Sequence, residues 1–249
     1  MEMKCPKCGA ARTQEASECI SCGIIFEKYL KASLRKESDT SMDVEEENEP
    51  VNYFDIAREL LFYVKQEPDH TFLIIRAVFF LFMIFLGIRF IFSSLTDEYL
   101  MNTFWHLVNL PFHEAGHIFF RLFGRFVTSL GGTLGQLLMP LICMGTFIIK
   151  TRDTFAASFC LWWLGQNFID ISPYINDSRS LSMPLLGGNT GMDSPYGFHD
   201  WEFILKESGL IRYDHAIALL SLNTGKFLII LSLIWAGYLL LKQYRSTAT

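Results

Sequence analysis

No long basic stripe runs through the 249 residues, and the formal net charge is only −5. Nothing is therefore at hand to neutralise a run of phosphates, and nucleic acid is not expected as a partner. No secretory signal pattern opens the chain, which starts polar, so the first apolar run is expected to direct membrane insertion itself. Cysteine is scarce, six in all. Cys143 and Cys160 stand singly within apolar runs, where a small buried thiol is the plain reading. Charge is absent altogether from 127–149 and 155–169. The apolar residues do not follow helical or strand periodicity, which argues against a half-exposed soluble fold.

What is present is apolar bulk. The chain is 51% hydrophobic, and Phe alone contributes 23 residues. The apolar residues gather in runs near 72–94, 127–149, 155–169 and 216–241, as lipid-facing helices do. Arg76 and Arg89 stand near the ends of the first run, where long cationic side chains reach the headgroups. A further segment, 104–123, is apolar except for His106, His113, Glu114, His117 and Arg121, and reads as a fifth span or a re-entrant helix. The expected fold is all-α, a polytopic transmembrane bundle of four or five spans over 69–249. Lys and Arg flank loops on both sides, so the positive-inside rule does not choose the topology.

Four cysteines crowd the first 22 residues as two Cys-x-x-Cys pairs: Cys5, Cys8, Cys19 and Cys22. Paired spacing of this kind reads as a metal site rather than a disulfide framework. Thiolates persist in a reducing compartment, which points to the cytosol for this end. Gly9 and Gly23 follow the second cysteine of each pair, where a tight turn favours a residue without Cβ. Residues 1–26 resemble a zinc ribbon, and the resemblance implies a structural zinc on four thiolates. So short a segment buries no core of its own, so the metal would hold it folded. Residues 27–52 include Glu45, Glu46, Glu47 and Glu49 and read as a flexible acidic linker. Residues 53–68 place Phe54, Ile56, Ala57, Leu60, Leu61 and Val64 on one broad helical face, as an amphipathic interfacial helix or one packed on protein would.

The chemistry concentrates in NLPFHEAGHIFF, residues 109–120. His113 and His117 are four apart and share a helical face. Two imidazoles so placed can grip one zinc ion, with Glu114 beside it as the base that takes a proton from bound water. Pro111 is suited to the first turn of that helix. Ionisable groups in an apolar run are costly unless paired or bound, and a metal accounts for all three together. The pattern is similar to the intramembrane site-2 protease family over about residues 70–180. That resemblance implies a third ligand, an Asp from a later helix near an Asn and a Pro. The segment GQNFIDISPYINDSR, 165–179, offers Asp177, placed just after Pro173, and Asp170, which lies deeper. It departs from the family in lacking Asp-Gly, since Ser178 follows Asp177.

Other polar residues are candidates for substrate contact. His199, which is also an alternative third ligand, follows a Gly-rich stretch that could fold over the site, though a structural role is the plainer reading. Gln136, a buried amide needing a partner, could bind a substrate backbone or hold the metal helix. Asn167 accompanies the candidate Asp residues. His106, seven before His113, shares its face and either lines the approach or sits in the core. Gly131, Gly132 and Gly135 suit close helix packing.

The expected activity is hydrolysis of peptide bonds in membrane or membrane-adjacent polypeptides by a zinc metalloprotease, with one catalytic zinc on His/His/Asp and one structural zinc on the four cysteines. The expected setting is the lipid bilayer of a prokaryotic cytoplasmic membrane, with the ribbon in the cytosol. The rival reading is a non-enzymatic membrane adaptor whose ribbon recruits a cytosolic protein. A third keeps the metal chemistry but directs it to a lipid or another amide.

Overall fold

The computed structural model describes residues 3–12, 16–31, 52–64 and 70–247. The chain divides into two compact units, Met1–Tyr53 and Phe54–Thr249.

The first unit is built from two matching knuckles. Strands β1 (Met3–Lys4) and β2 (Ala11–Arg12) pair antiparallel, with Met3 opposite Arg12. Cys5 N–H donates to Ala10 O at 2.8 Å and Gly9 N–H to Cys5 O at 2.9 Å. The second knuckle repeats this, Cys19 N–H to Ile24 O and Gly23 N–H to Cys19 O. The turns close because Gly9 and Gly23 adopt φ of +74° and +68°, values that a Cβ disfavours. Phe26, with Cys5 and Cys19, forms the small buried cluster. Residues 26–31 are helical, so the start of the expected 27–52 linker is ordered. Residues 32–51, including the Glu-rich stretch, lie outside the described residues.

The second unit is all-helical: α1 (Tyr53–Leu61), α2 (His70–Ile91), α3 (Phe104–Phe120), α4 (Arg125–Thr146), α5 (Thr154–Asn176), α6 (Asp200–Glu207) and α7 (Asp214–Thr247). A π-helical stretch, Phe147–Thr151, continues α4. Three helical segments are long and apolar enough to cross a membrane: His70–Ile91, Arg125–Thr151 and Ile211–Thr247. Helix α2 leaves Phe72, Ile75, Val78, Leu81, Phe85 and Ile88 exposed, as a lipid-facing surface does. Three such segments are fewer than the expected four or five, for two physical reasons. Helix α3 has 17 residues, about 25 Å at 1.5 Å per residue, against about 30 Å of hydrocarbon. Helix α5 is long enough, but Gln166, Asn167 and Asp170 interrupt its apolar run.

Those polar residues are tolerated because α5 is the central helix, with sixteen buried residues. It packs on α7 through Gly165 and Gly225, where a Cβ on Gly165 would meet Gly225 O at 2.7 Å. Trp162, wholly buried, joins Phe90, Trp105 and Phe159 in an aromatic cluster, with ring centroids 5.1–6.2 Å apart. Helices α3 and α4 cross in backbone contact: a Cβ on Gly131 would fall 2.8 Å from Gly116 O. Helix α1 is amphipathic and buries none of its residues, and it ends at Leu61, short of the expected 68. The chain after it is tied down by Trp235 Nε1–H to Leu61 O and Lys242 Nζ to Phe62 O. Residues 65–69 lie outside the described residues.

Candidate metal centre

Helix α3 starts earlier than the proline suggested. Thr103 is its N-cap, accepting from His106 N–H at 3.1 Å, so Pro111 sits inside the helix and removes one bond from its ladder. His113 and His117 project from one face with ring centroids 4.8 Å apart. Each ring is fixed through Nδ1. His117 Nδ1–H donates to the carbonyl of Thr128 at 2.8 Å, and His113 Nδ1–H to Oε1 of Gln136 at 2.9 Å. Both acceptors lie on α4. A donor committed at Nδ1 leaves the Nε2 lone pair of each ring free for a metal. Gln136 thus holds the ring of His113 in place, and its own Nε2 has no partner among the described residues.

The carboxylate at this pair is Asp200. Its Oδ2 lies 3.3 Å from His113 Nε2 and 3.2 Å from His117 Nε2. Three donors around a tetrahedral ion with bonds of about 2.0–2.1 Å stand about 3.3 Å apart, which these distances match. Gly132 of α4 faces the two rings and leaves the space between them open. Burial opposes the charge on Asp200, but His113 and His117 outweigh it and lower its pKa. The residues present can therefore hold a metal ion, and with three protein ligands.

The two carboxylates expected as third ligand have other partners. Asp170 is engaged elsewhere: Oδ1 lies 3.0 Å from His106 Nδ1, and Oδ2 accepts from Asn109 Nδ2 at 2.9 Å. Asp177 caps α5 and organises the following loop, accepting from Ser180 Oγ, Ser182 N–H and Oγ, and Met183 N–H at 2.6–3.0 Å. Burial would raise its pKa, yet His199 and these donors hold it well below the usual carboxylate range. Asp200 escapes a sequence reading because an Asp opening a short helix looks like an ordinary first-turn acid.

His199 is not at the surface for a substrate. It is wholly buried, it N-caps α6 by accepting from Glu202 N–H at 3.1 Å, and its Nε2 lies 3.4 Å from Asp177 Oδ2. It positions the helix that begins with Asp200. Tyr174 supports the same residue, its hydroxyl oxygen accepting from Asp200 N–H at 3.1 Å. Asn167 is buried as well, donates to the carbonyl of Trp163, and is absent from the lining of the site cavity. These two placements replace the expected substrate contacts.

A cavity of about 790 Å³ opens onto the metal group. His106, Leu110, His113, Glu114 and His117 line it from one face of α3. The loop before α6 supplies another wall through Leu185, Leu186 and Phe198. That loop carries a tight turn, Leu185 N–H to Asn189 O at 2.8 Å, with Pro184 bridged to Thr190. Glu114 reaches the cavity without accepting a hydrogen bond from any described residue.

The head holds a second group. Cys5, Cys8, Cys19 and Cys22 converge, with Cys5 and Cys22 sulfurs 3.8 Å apart and Cys8 and Cys19 sulfurs 3.7 Å apart. A tetrahedral ion with metal–sulfur bonds of about 2.3 Å sets its sulfurs about 3.8 Å apart, whereas a disulfide requires about 2.05 Å. Burial disfavours the Cys5 thiolate, but backbone donors at Cys8 and Lys7 bring its pKa down to about 6. The N–H of Ile24 would lower Cys22, yet burial and the neighbouring sulfurs push it up to about 12. Four thiolates at this spacing repel one another unless a cation lies between them.

Comparison with protein-family models, with curated proteins and with solved structures returned no match to this chain.

Proposed function

We propose that the second unit is a zinc-dependent hydrolase embedded in a membrane. The observation that carries this is the ligand count: three protein donors converge beside an open cavity, whereas structural zinc sites are closed by four. Within that class the reading best supported is a protease acting on polypeptides in or beside the bilayer, in keeping with the resemblance of the histidine segment to the site-2 protease family. The four-cysteine head is a structural zinc site of the ribbon kind and offers a cytosolic protein a docking module.

Zinc, when bound, supplies a Lewis acid that makes water acidic near neutral pH and polarises a carbonyl. The protein does the rest. Glu114, free of other bonds, takes the proton of the attacking water and returns it to the leaving amine. Gln136 and Thr128 keep both imidazoles in the tautomer that presents Nε2. Asp200 adds negative charge at the centre, and His199 and Tyr174 hold it there.

The test uses the purified full chain in detergent with unfolded casein. Cleavage is expected, inhibited by phenanthroline, and reduced about 10²–10⁴-fold in Glu114→Gln with both zinc ions retained. Equal rates in native protein and variant would sink the mechanism.

A further inference from the structure

The cavity does not end at the histidine pair. His106 lies seven residues before His113 on the same face of α3, about 10.5 Å along the axis. Its side chain is 24% exposed, and a network through the buried Asp170, Asn109 and Gln166 fixes its ring. Asp170 holds Nδ1 at 3.0 Å. Asp170 in turn accepts from Asn109, which donates to Gln166 at 2.8 Å and accepts from Trp163 Nε1–H at 2.9 Å. Nδ1 being committed, Nε2 is the ring's remaining hydrogen-bonding atom. The carboxylate at 3.0 Å favours the protonated ring, which makes Nε2–H a donor.

A polypeptide must unwind before a protease reaches its carbonyls, and each freed carbonyl in an apolar setting needs a donor. An extended chain advances about 3.3 Å per residue, so the interval from His113 to His106 spans about three residues. Leu110, between them on α3, and Ile171 on α5 add apolar lining to the same cavity.

We infer that His106, positioned by Asp170 and Asn109, is a substrate-binding residue that donates from Nε2 to a backbone carbonyl or carboxylate about three residues from the scissile bond. The inference rests on the hydrolase reading of the same site and adds to it a bound form, an extended strand lying along α3.

Two metal-directed probes separate the two claims, measured by calorimetry on the zinc-loaded full chain. Acetohydroxamate reaches only the metal, and a hydroxamate joined to a tetrapeptide reaches His106 as well. His106→Phe is expected to weaken the tetrapeptide hydroxamate at least about tenfold while acetohydroxamate binding is unchanged. His106→Gln, which keeps an N–H donor, is expected to restore part of the loss. Equal affinities for the long probe in native protein and His106→Phe overturn the subsite. So does a matched loss of both probes in both variants, since that marks a structural role. Failure of acetohydroxamate to bind the native protein overturns the hydrolase reading itself, and the subsite with it.

Discussion

The backbone of Gly132 lies so close to the ring of His113 that a Cβ built on it would fall 2.5 Å from His113 Nε2, and 2.6 Å from His117 Nε2. A methyl group there would stand where the two lone pairs converge. In an ordinary helix interior, Gly to Ala adds about 1 kcal/mol of helical stability. Gly132→Ala is therefore expected to leave the fold intact yet lose one of two bound zinc ions and all cleavage. Metal analysis with a thermal melt checks this, and a variant that keeps two ions per chain would contradict the placement of the site.

The ligand assignment separates Asp200 from the two carboxylates that the sequence favoured. Asp200→Ala is expected to release the second zinc ion at micromolar free metal. Asp170→Asn is expected to retain it, because its oxygens serve His106 and Asn109 rather than the imidazole pair. Metal titration against a competing chelator measures both, and zinc loss confined to Asp170→Asn would reverse the assignment.

The contrast shows what the sequence could and could not say. The convergence of His113 and His117 was legible because it is encoded in local spacing on one helix, and that of the four cysteines likewise. The apolar runs at α2, α4 and α7 were legible because membrane helices are long and uninterrupted. The carboxylate beside the histidine pair was not legible, because it depends on how a loop of more than twenty residues returns α6 to α3. Nothing local marks Asp200 rather than Asp177 as the carboxylate beside the pair. Gln136 was ambiguous for the same reason: whether its amide meets substrate or His113 is decided by the α3–α4 crossing at Gly116 and Gly131. Among the described residues three helices, fewer than expected, are long and apolar enough to span, because α3 is short and Gln166, Asn167 and Asp170 interrupt the apolar run of α5.

Gln136 tests how far orientation matters. Its Oε1 accepts a hydrogen bond from His113 Nδ1–H, which keeps the ring in the tautomer with Nε2 unprotonated. Gln136→Leu keeps a similar volume but removes the acceptor. Zinc affinity at the second site is expected to fall about 10–100-fold, as for other partners that orient a metal-bound histidine. Cleavage should recover when zinc is raised accordingly. A loss of activity that added zinc does not relieve would mean that Gln136 touches substrate instead.

Acid should loosen the loop that carries His199 and Asp200 in a defined window. The pKa of Asp177 is lowered in the folded chain: burial opposes its charge, but His199, Ser180 and the N–H groups of Met183 and Ser182 stabilise it. A depressed folded pKa means that the stabilisation is present above the unfolded value, about 3.9, and is lost as pH falls through the lower folded value. The loop should therefore stay closed through about pH 5 and open only well below about pH 4. Hydrogen bonds to a buried charge contribute about 2 kcal/mol. Asp177→Asn should forgo about that much at neutral pH and show a smaller further opening in this acid window, the remainder coming from Asp200, whose charge His113 and His117 stabilise. Limited proteolysis between Ser178 and His199, on metal-stripped protein so that ion release from His113 and His117 does not contribute, reads both effects. Opening in native protein already at about pH 5, with the same profile in the Asn variant, would place the anchor of the loop somewhere other than Asp177.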